Sequence, residues 1–406
     1  DVGGVVRDVA IDLYGAGDGS WSAPIMFDGR CASLAGAAFA AASQTDNLDA
    51  HDGLNETKGH IGCAVVPALF AAAARRTDLR GREALEALVI SYEIGARAAV
   101  ALHGSVEDYH TSGAWNALAV AALMTRLLGG DATILRHALG IAEYHGPRSQ
   151  MMREIDNPTM LHDGSGMGAL VGVSAAVMAL RGFTGAPAIT VEAAPEAWAD
   201  LGRRWTIEDN YIKPYPICRW AHAALDATTT LIRDGVTPKT LTRLEVRTFA
   251  EAARLYPGMP ETTSQAQYSL RFSVASLLRH GRIGPEHVTG AALTDPETAA
   301  LLEKIDIIEE PRHSARFPAD RWSDVAADTT DGRRLASGDV LARGGPEAPL
   351  SNEEFTAKVL AFAGPTMGAE GAAALLTLGE GLLDPDAAFG PLAALTARPA
   401  RIGQTS

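Results

Sequence analysis

Cysteine is scarce: the 406 residues hold three, Cys31, Cys63 and Cys218, widely spaced and without a Cys-x-x-Cys pair. That excludes a disulfide framework and a zinc or iron–sulfur centre built on clustered thiolates, and it points to a reducing, cytoplasmic setting. Basic residues are in deficit as well, 35 Lys and Arg against 49 Asp and Glu, for a formal net charge of −14. Phosphate-backbone binding needs the opposite balance, so nucleic acid is excluded as a partner. The longest apolar stretches, 61–74 and 167–180, fall short of the ~20 residues of a membrane helix, and Pro67 interrupts the first. No membrane association is expected. The chain begins at Asp1 without a basic, apolar leader, so no secretory signal is expected either. No P-loop, dinucleotide loop or His-Glu-x-x-His spacing is present. Gly164-Ser165-Gly166-Met167-Gly168 opens an apolar stretch with no strand before it, which fits close helix packing rather than a nucleophile elbow.

What is there is ordinary globular material, 47% hydrophobic and 21% charged, in a chain longer than one core usually supports. Residues 1–210 are rich in Ala, Gly and Leu and read as helical. Thr111 and Ser112 precede an apolar run that Gly129 and Gly130 end, and 167–180 is apolar nearly all round, as a central bundle helix would be. Near Tyr211 the pattern changes. Pro214 and Pro216 force an extended segment, and Leu244, Val246 and Thr248 alternate with charged neighbours as a half-buried strand would. Ile305 and Ile307 suggest a second strand, and Asp331-Gly332 a hairpin within 325–335. Ser351 with Glu354 forms a capping-box pattern that restarts helix. The expectation is a mainly α protein: a large all-helical domain from both chain ends, 1–210 plus 351–406, with a smaller α/β lid domain, 211–350, inserted between them.

Three segments carry chemistry. Asp46, Asp49, His51 and Asp52, followed by Lys58 and His60, put carboxylates and imidazoles into a short stretch before an apolar helix. The stretch reads either as an acid–base loop or as a solvated loop whose acids cap helices. His60 and His110 each stand just ahead of a helix N-terminus, where the dipole disfavours imidazolium and leaves a neutral base. Lys213 and Arg219 lie six residues apart on the Pro-stiffened segment, with His222 beyond. They suit a substrate with two carboxylates, or an interdomain crossing with solvated cations. His51, His60 and the nearby acids are metal-ligand types without a fixed ligand spacing, so no metal is expected.

Taken together and in order, these segments resemble the MmgE/PrpD family, which includes 2-methylcitrate dehydratase, cis-aconitate decarboxylase and iminodisuccinate epimerase. The resemblance spans nearly the whole chain. It is carried by Leu48-Asp49-Ala50-His51-Asp52 with Gly59-His60 and Val65-Val66-Pro67-Ala68; by Tyr109-His110-Thr111 leading to Leu127-Leu128-Gly129; by Arg181-Gly182-Phe183-Thr184-Gly185; by Lys213-Pro214-Tyr215-Pro216-Ile217-Cys218 with His222; and by Gln267-Tyr268-Ser269-Leu270. It implies a homodimer, an active site in the cleft between domains, and proton transfer next to a carboxylate of a small di- or tricarboxylate without metal or organic cofactor. By position, Asp49, His60, His110 and Lys213 match the family's active-site residues. Lys58, His162, Tyr215, Arg219, His222 and Tyr268 are the candidates for binding substrate. The chain departs from the family pattern in having Asp46 where His is usual, His51 where a second Asp is usual, Ile61 and Thr111 where Pro follows the histidines, and Phe272 where the decarboxylase branch has Tyr. His162 is the nearest replacement for a family lysine. The reaction expected from the resemblance is that of a hydro-lyase. Epimerase or isomerase, decarboxylase, and a non-catalytic carboxylate-binding dimer are the alternatives.

Overall fold

The computed structural model describes residues 2–16 and 19–400. It is 55% helical against 11% strand, which makes the chain mainly α. The first half packs around α1 (Leu34–Leu48), α2 (Gly62–Ala73), α3 (Gly81–Ser105), α4 (Gly113–Leu127) and α5 (Ser165–Leu180). Helix α4 is buried along almost its whole length and lies against α5. Small residues allow that approach. A Cβ at Gly168 would sit 2.7 Å from Gly113 O, and one at Gly166 would run into the Ser43 side chain. The Gly164–Gly168 stretch is therefore a packing surface, as its context suggested.

Two strands join the halves. β1 (Asp52–Leu54) pairs antiparallel with β2 (Asn210–Ile212), Gly53 opposite Tyr211. Beyond them β3 (Leu241–Thr248) runs parallel to β4 (Ile305–Glu309) on one side and antiparallel to β5 (Trp322–Thr329) on the other. β6 (Arg334–Ala336) closes the expected hairpin with β5, and β7 (Val340–Leu341) pairs with the start of β5. Helices α6 (His222–Arg233) and α7 (Leu270–His280) contact this sheet.

Buried apolar residues fall into two clusters. One runs from Ala10 to Ala188 and takes in Leu382, Phe389 and Leu392 near the C-terminus; the other runs from Ile217 to Ala327 and takes in Met151 and Ile155. Those last two lie within the stretch that sequence assigned wholly to the helical half. They are four residues apart on one helical face, and that face turns towards the second cluster. Helix α8 (Asn352–Gly381) begins with the Ser351/Glu354 capping box and is the longest among the described residues, 30 residues. The sequence shows 61–74 and 167–180 as its longest apolar stretches, yet among the described residues α8 alone is long and apolar enough, by length and composition, to cross a membrane. Gly368 (φ 77°, ψ 164°) breaks it, with Pro365 one turn earlier, into two rods each shorter than a span requires.

Candidate active site

The loop after α1 builds one wall of an enclosed cavity. Asp49 caps α1 with a left-handed backbone, its N–H bonded to Asp46 O. β1 follows, and its pairing with β2 carries the chain on to Lys213, whose N–H donates to His51 O at 3.1 Å. This delivers the Lys213 ammonium to Asp49, and the two form a buried ion pair. Gly53 is required at the crossing. A Cβ there would strike the Tyr211 hydroxyl and lie 2.7 Å from His60 Nδ1.

One carbonyl sets two histidines. Asp52 O receives His60 Nδ1 at 2.6 Å and His51 Nδ1 at 3.0 Å. A carbonyl only accepts, so both rings carry their proton on Nδ1 and present Nε2 as a lone pair. His60 Nε2 faces Asp163 Oδ2 at 3.6 Å; His51 Nε2 stands 3.8 Å from Asp46 Oδ1 and 3.7 Å from Asp49 Oδ1. Burial, and after it the Lys213 charge, pushes His60 well below the usual imidazole range. The sequence argument reached the same neutral base through the helix dipole, but burial is the larger cause.

Burial acts on the carboxyls in the opposite direction. It raises Asp163, and it raises Asp46 well above the carboxylate range with the Asp163 charge adding to it. Asp49 rises to about 6, burial outweighing the Lys213 ammonium. Burial pulls Lys213 down, but Asp49, with Tyr211 and Cys218, more than offsets it and the net shift is upward. Asp163 Oδ1 accepts from the Ser112 hydroxyl at 2.7 Å, and Ser112 Oγ in turn accepts His60 N–H at 3.0 Å. Ser112 thus makes no cap bond to α4, the role its position suggested; its hydroxyl ties His60 to Asp163 instead.

The cavity is lined by Asp49, Lys58, His60, Tyr109, Met151, Ile155, Asp163, Tyr211, Lys213, Cys218, Arg219, Trp220, Tyr268 and Arg321. Space for the centre of a water molecule amounts to about 20 Å³, enough for roughly one or two waters. A tricarboxylate enters only if the walls part. Strain gathers here too: three of the four described non-glycine residues with positive φ are Asp49, Lys58 and His162.

Of the residues singled out from sequence, Asp49, His60, Lys213, Lys58, Arg219 and Tyr268 line the cavity, and His110, His162, Tyr215 and His222 do not. His110 is buried with its N–H donated to His103 Nε2 at 3.2 Å and its own Nδ1 without a partner. His162 has φ 47°, a turn that sets Asp163 towards the cavity and the His162 ring edge-on to Tyr268 at 5.3 Å. Burial pushes that ring down to about 4. Tyr215 donates its hydroxyl to Asp226 at 2.8 Å; His222 packs behind the Tyr215 ring with Nε2 3.1 Å from Ile217 O. Sequence reading missed Asp163 and Arg321. The first is the neighbour of a flagged residue, and the second sits before a strand with no local signal.

Among the described residues three groups have metal-ligand chemistry: Asp46, His51 and Cys63; Asp49, His51 and His60; and His313, Asp324 and Asp339. In the second, Lys213 is already the cation on Asp49; in the third, Arg312 binds both carboxylates. The first requires a thiolate, and burial holds Cys63 well above the usual thiol range. The donors are present, but resident cations or a protonated thiol occupy them.

Fold and site together define a mainly helical protein with an enclosed, charge-rich cavity between its two hydrophobic clusters. The chain belongs to the MmgE/PrpD family: the MmgE/PrpD N-terminal domain matches residues 6–199 and the MmgE/PrpD C-terminal domain residues 215–381. That family includes dehydratases and other lyases. Among curated proteins none matches the chain.

Proposed function

We propose that the protein is a cofactor-independent lyase that removes the proton α to a carboxylate of a small di- or tricarboxylate, acting as a hydro-lyase. One observation carries the reading: the His60 Nε2 lone pair faces the Asp163 carboxyl in a cavity that also holds Lys213. Neutral imidazole beside a carboxyl that burial shifts towards its protonated form is an acid–base pair suited to a substrate.

His60 Nε2 takes the α proton, and the C–H electron pair becomes the new C=C bond as the β C–O bond breaks. The departing hydroxide takes the Asp163 proton and leaves as water. His60 then returns its proton to Asp163 across their 3.6 Å separation, which resets both groups. Negative charge accumulates on the carboxylate oxygens as the C–H bond breaks, and the Lys213 ammonium, oriented by Asp49, stabilises it. In this mechanism Asp163 holds the role that sequence gave to a second histidine.

The homodimer implied by the resemblance would cover Phe355 and Leu360, exposed on α8, and the apolar groove lined by Leu85, Val89, Trp205 and Leu383.

Proton NMR in D₂O with malate, tartrate, citrate, 2-methylcitrate, cis-aconitate and aspartate-derived diacids tests the reaction. A new alkene signal with deuterium at the α carbon is the expected result. Deuterium without alkene would replace the hydro-lyase reading with an epimerase; stabilisation by a diacid without exchange would leave only a binding protein.

A further inference from the structure

Three cations line the cavity without an acid of their own. Lys58, Arg219 and Arg321 form no ion pair with any carboxylate among the described residues, whereas Lys213 is paired with Asp49. Arg219 and Arg321 are 4% and 1% exposed, so water does not compensate them. Their guanidinium groups reach only backbone carbonyls. Arg219 donates to Arg343 O at 2.5 Å and Ala342 O at 3.0 Å; Arg321 donates to Pro318 O and to Asn55 O at 3.2 Å. On each, the buried Nε–H has no acceptor.

Aromatic rings hold the three groups in place: Lys58 over Tyr109, Arg219 over Tyr211 and Arg321 over Phe317, at 4.9, 4.0 and 4.7 Å from the ring centroids. The cations are close enough to repel. Arg321 adds to the burial that lowers Lys58, and with burial, the larger cause, it brings Arg219 down to about 10. Acids act on them only at longer range, Glu251 on Lys58 and Arg321, and Asp226 and Glu347 on Arg219. Like charges gathered in a dry site, with two donors unused, fit a site completed by an anion from outside.

We propose that Lys58, Arg219 and Arg321 form a second anion subsite, which holds a carboxylate of the substrate remote from the carbon that loses its proton. This rests on the lyase reading above and assigns places to two of the substrate's carboxylates, one at Lys213 and one here. The subsite spans both parts of the molecule. Lys58 follows β1, Arg219 precedes α6, and Arg321 reaches from the start of β5 to Asn55 O. A bound carboxylate therefore bridges the walls that must part for entry, and Arg321 is the specificity residue that selects diacids over monoacids.

Calorimetric titration of the full chain with succinate, malonate, acetate and sulfate tests this without requiring turnover. Succinate or malonate should bind at least about tenfold more tightly than acetate. Arg321→Gln should remove that preference and leave acetate unchanged, and Arg321→Lys should restore part of it. Folding is checked by circular dichroism; should Arg321→Gln fail to fold, Lys58→Met carries the same expectation. Equal binding of acetate and succinate, binding of sulfate alone, or a folded Arg321→Gln protein that keeps its diacid preference would each overturn the proposal. Diacid binding that depends on Arg321 with no α-proton exchange would uphold the subsite and overturn the lyase reading.

Discussion

His60 and His110 stand in matching sequence contexts, each just before a helix, and end in different surroundings. His60 is fixed by Asp52 O on one nitrogen and faces Asp163 with the other, inside the cavity. His110 lies outside the cavity lining, bridged to Gln150 and bonded to His103 through its backbone. A helix N-terminus explains why a neutral imidazole is tolerated, but it says nothing about where the ring points. That is decided by what lies across the fold: β2 and the turn at His162 bring Lys213 and Asp163 to His60 inside the cavity, whereas the charges that act on His110, Arg148 and Asp108, do not line it.

The largest effect that would sharpen this contrast is at Asp163. Asp163→Asn keeps the Ser112 bond but removes the transferable proton, and should lower kcat by ~10²–10⁴ while KM changes little; steady-state kinetics showing less than a threefold loss would return the acid role to another residue. Lys213→Met comes next. It leaves Asp49 buried and unpaired, and should destabilise the fold by ~3–5 kcal/mol in urea unfolding as well as abolish turnover.

The pH profile separates Asp49 from His60. Asp49 is raised above its usual 3.8 to about 6, so its charged form, and with it the Lys213 pair, appears only as pH rises through about 6. Turnover should fall about tenfold per unit below that pH, and Asp49→Asn should move or remove this limb. His60, already held neutral well below 6.5, cannot set it. The smallest effect is expected at Tyr215. Its hydroxyl serves Asp226 rather than substrate, so Tyr215→Phe should cost about 1 kcal/mol of stability and leave kcat unchanged.

Much of the fold was legible because period and punctuation are local. Leu244, Val246 and Thr248 announced β3, Asp331-Gly332 the β5–β6 hairpin, and Ser351 with Glu354 the start of α8. The kink in α8 was not legible, since Gly368 differs from a tolerated helical glycine only in its backbone angles. For the site, the loop holding Asp49, Lys58 and His60 and the segment holding Lys213 and Arg219 were identified by density of charge and by proline. Which of those side chains meet was not visible, because the meeting depends on the β1–β2 register. Asp163 was hidden beside His162, whose left-handed backbone exchanges the directions expected of the two. Arg321 was hidden because an arginine before a strand is ordinary until its lack of an acid partner is seen.

The proposed mechanism requires His60 to do what its look-alike His110 does not. The most direct measurement is solvent deuterium exchange at the substrate α carbon, followed by NMR in His60→Gln and His110→Gln proteins side by side. His60→Gln should lose exchange by ~10²-fold or more, with His110→Gln within about threefold of the unaltered protein. Exchange that survives in His60→Gln and vanishes in His110→Gln would contradict the assignment and move the base to His110.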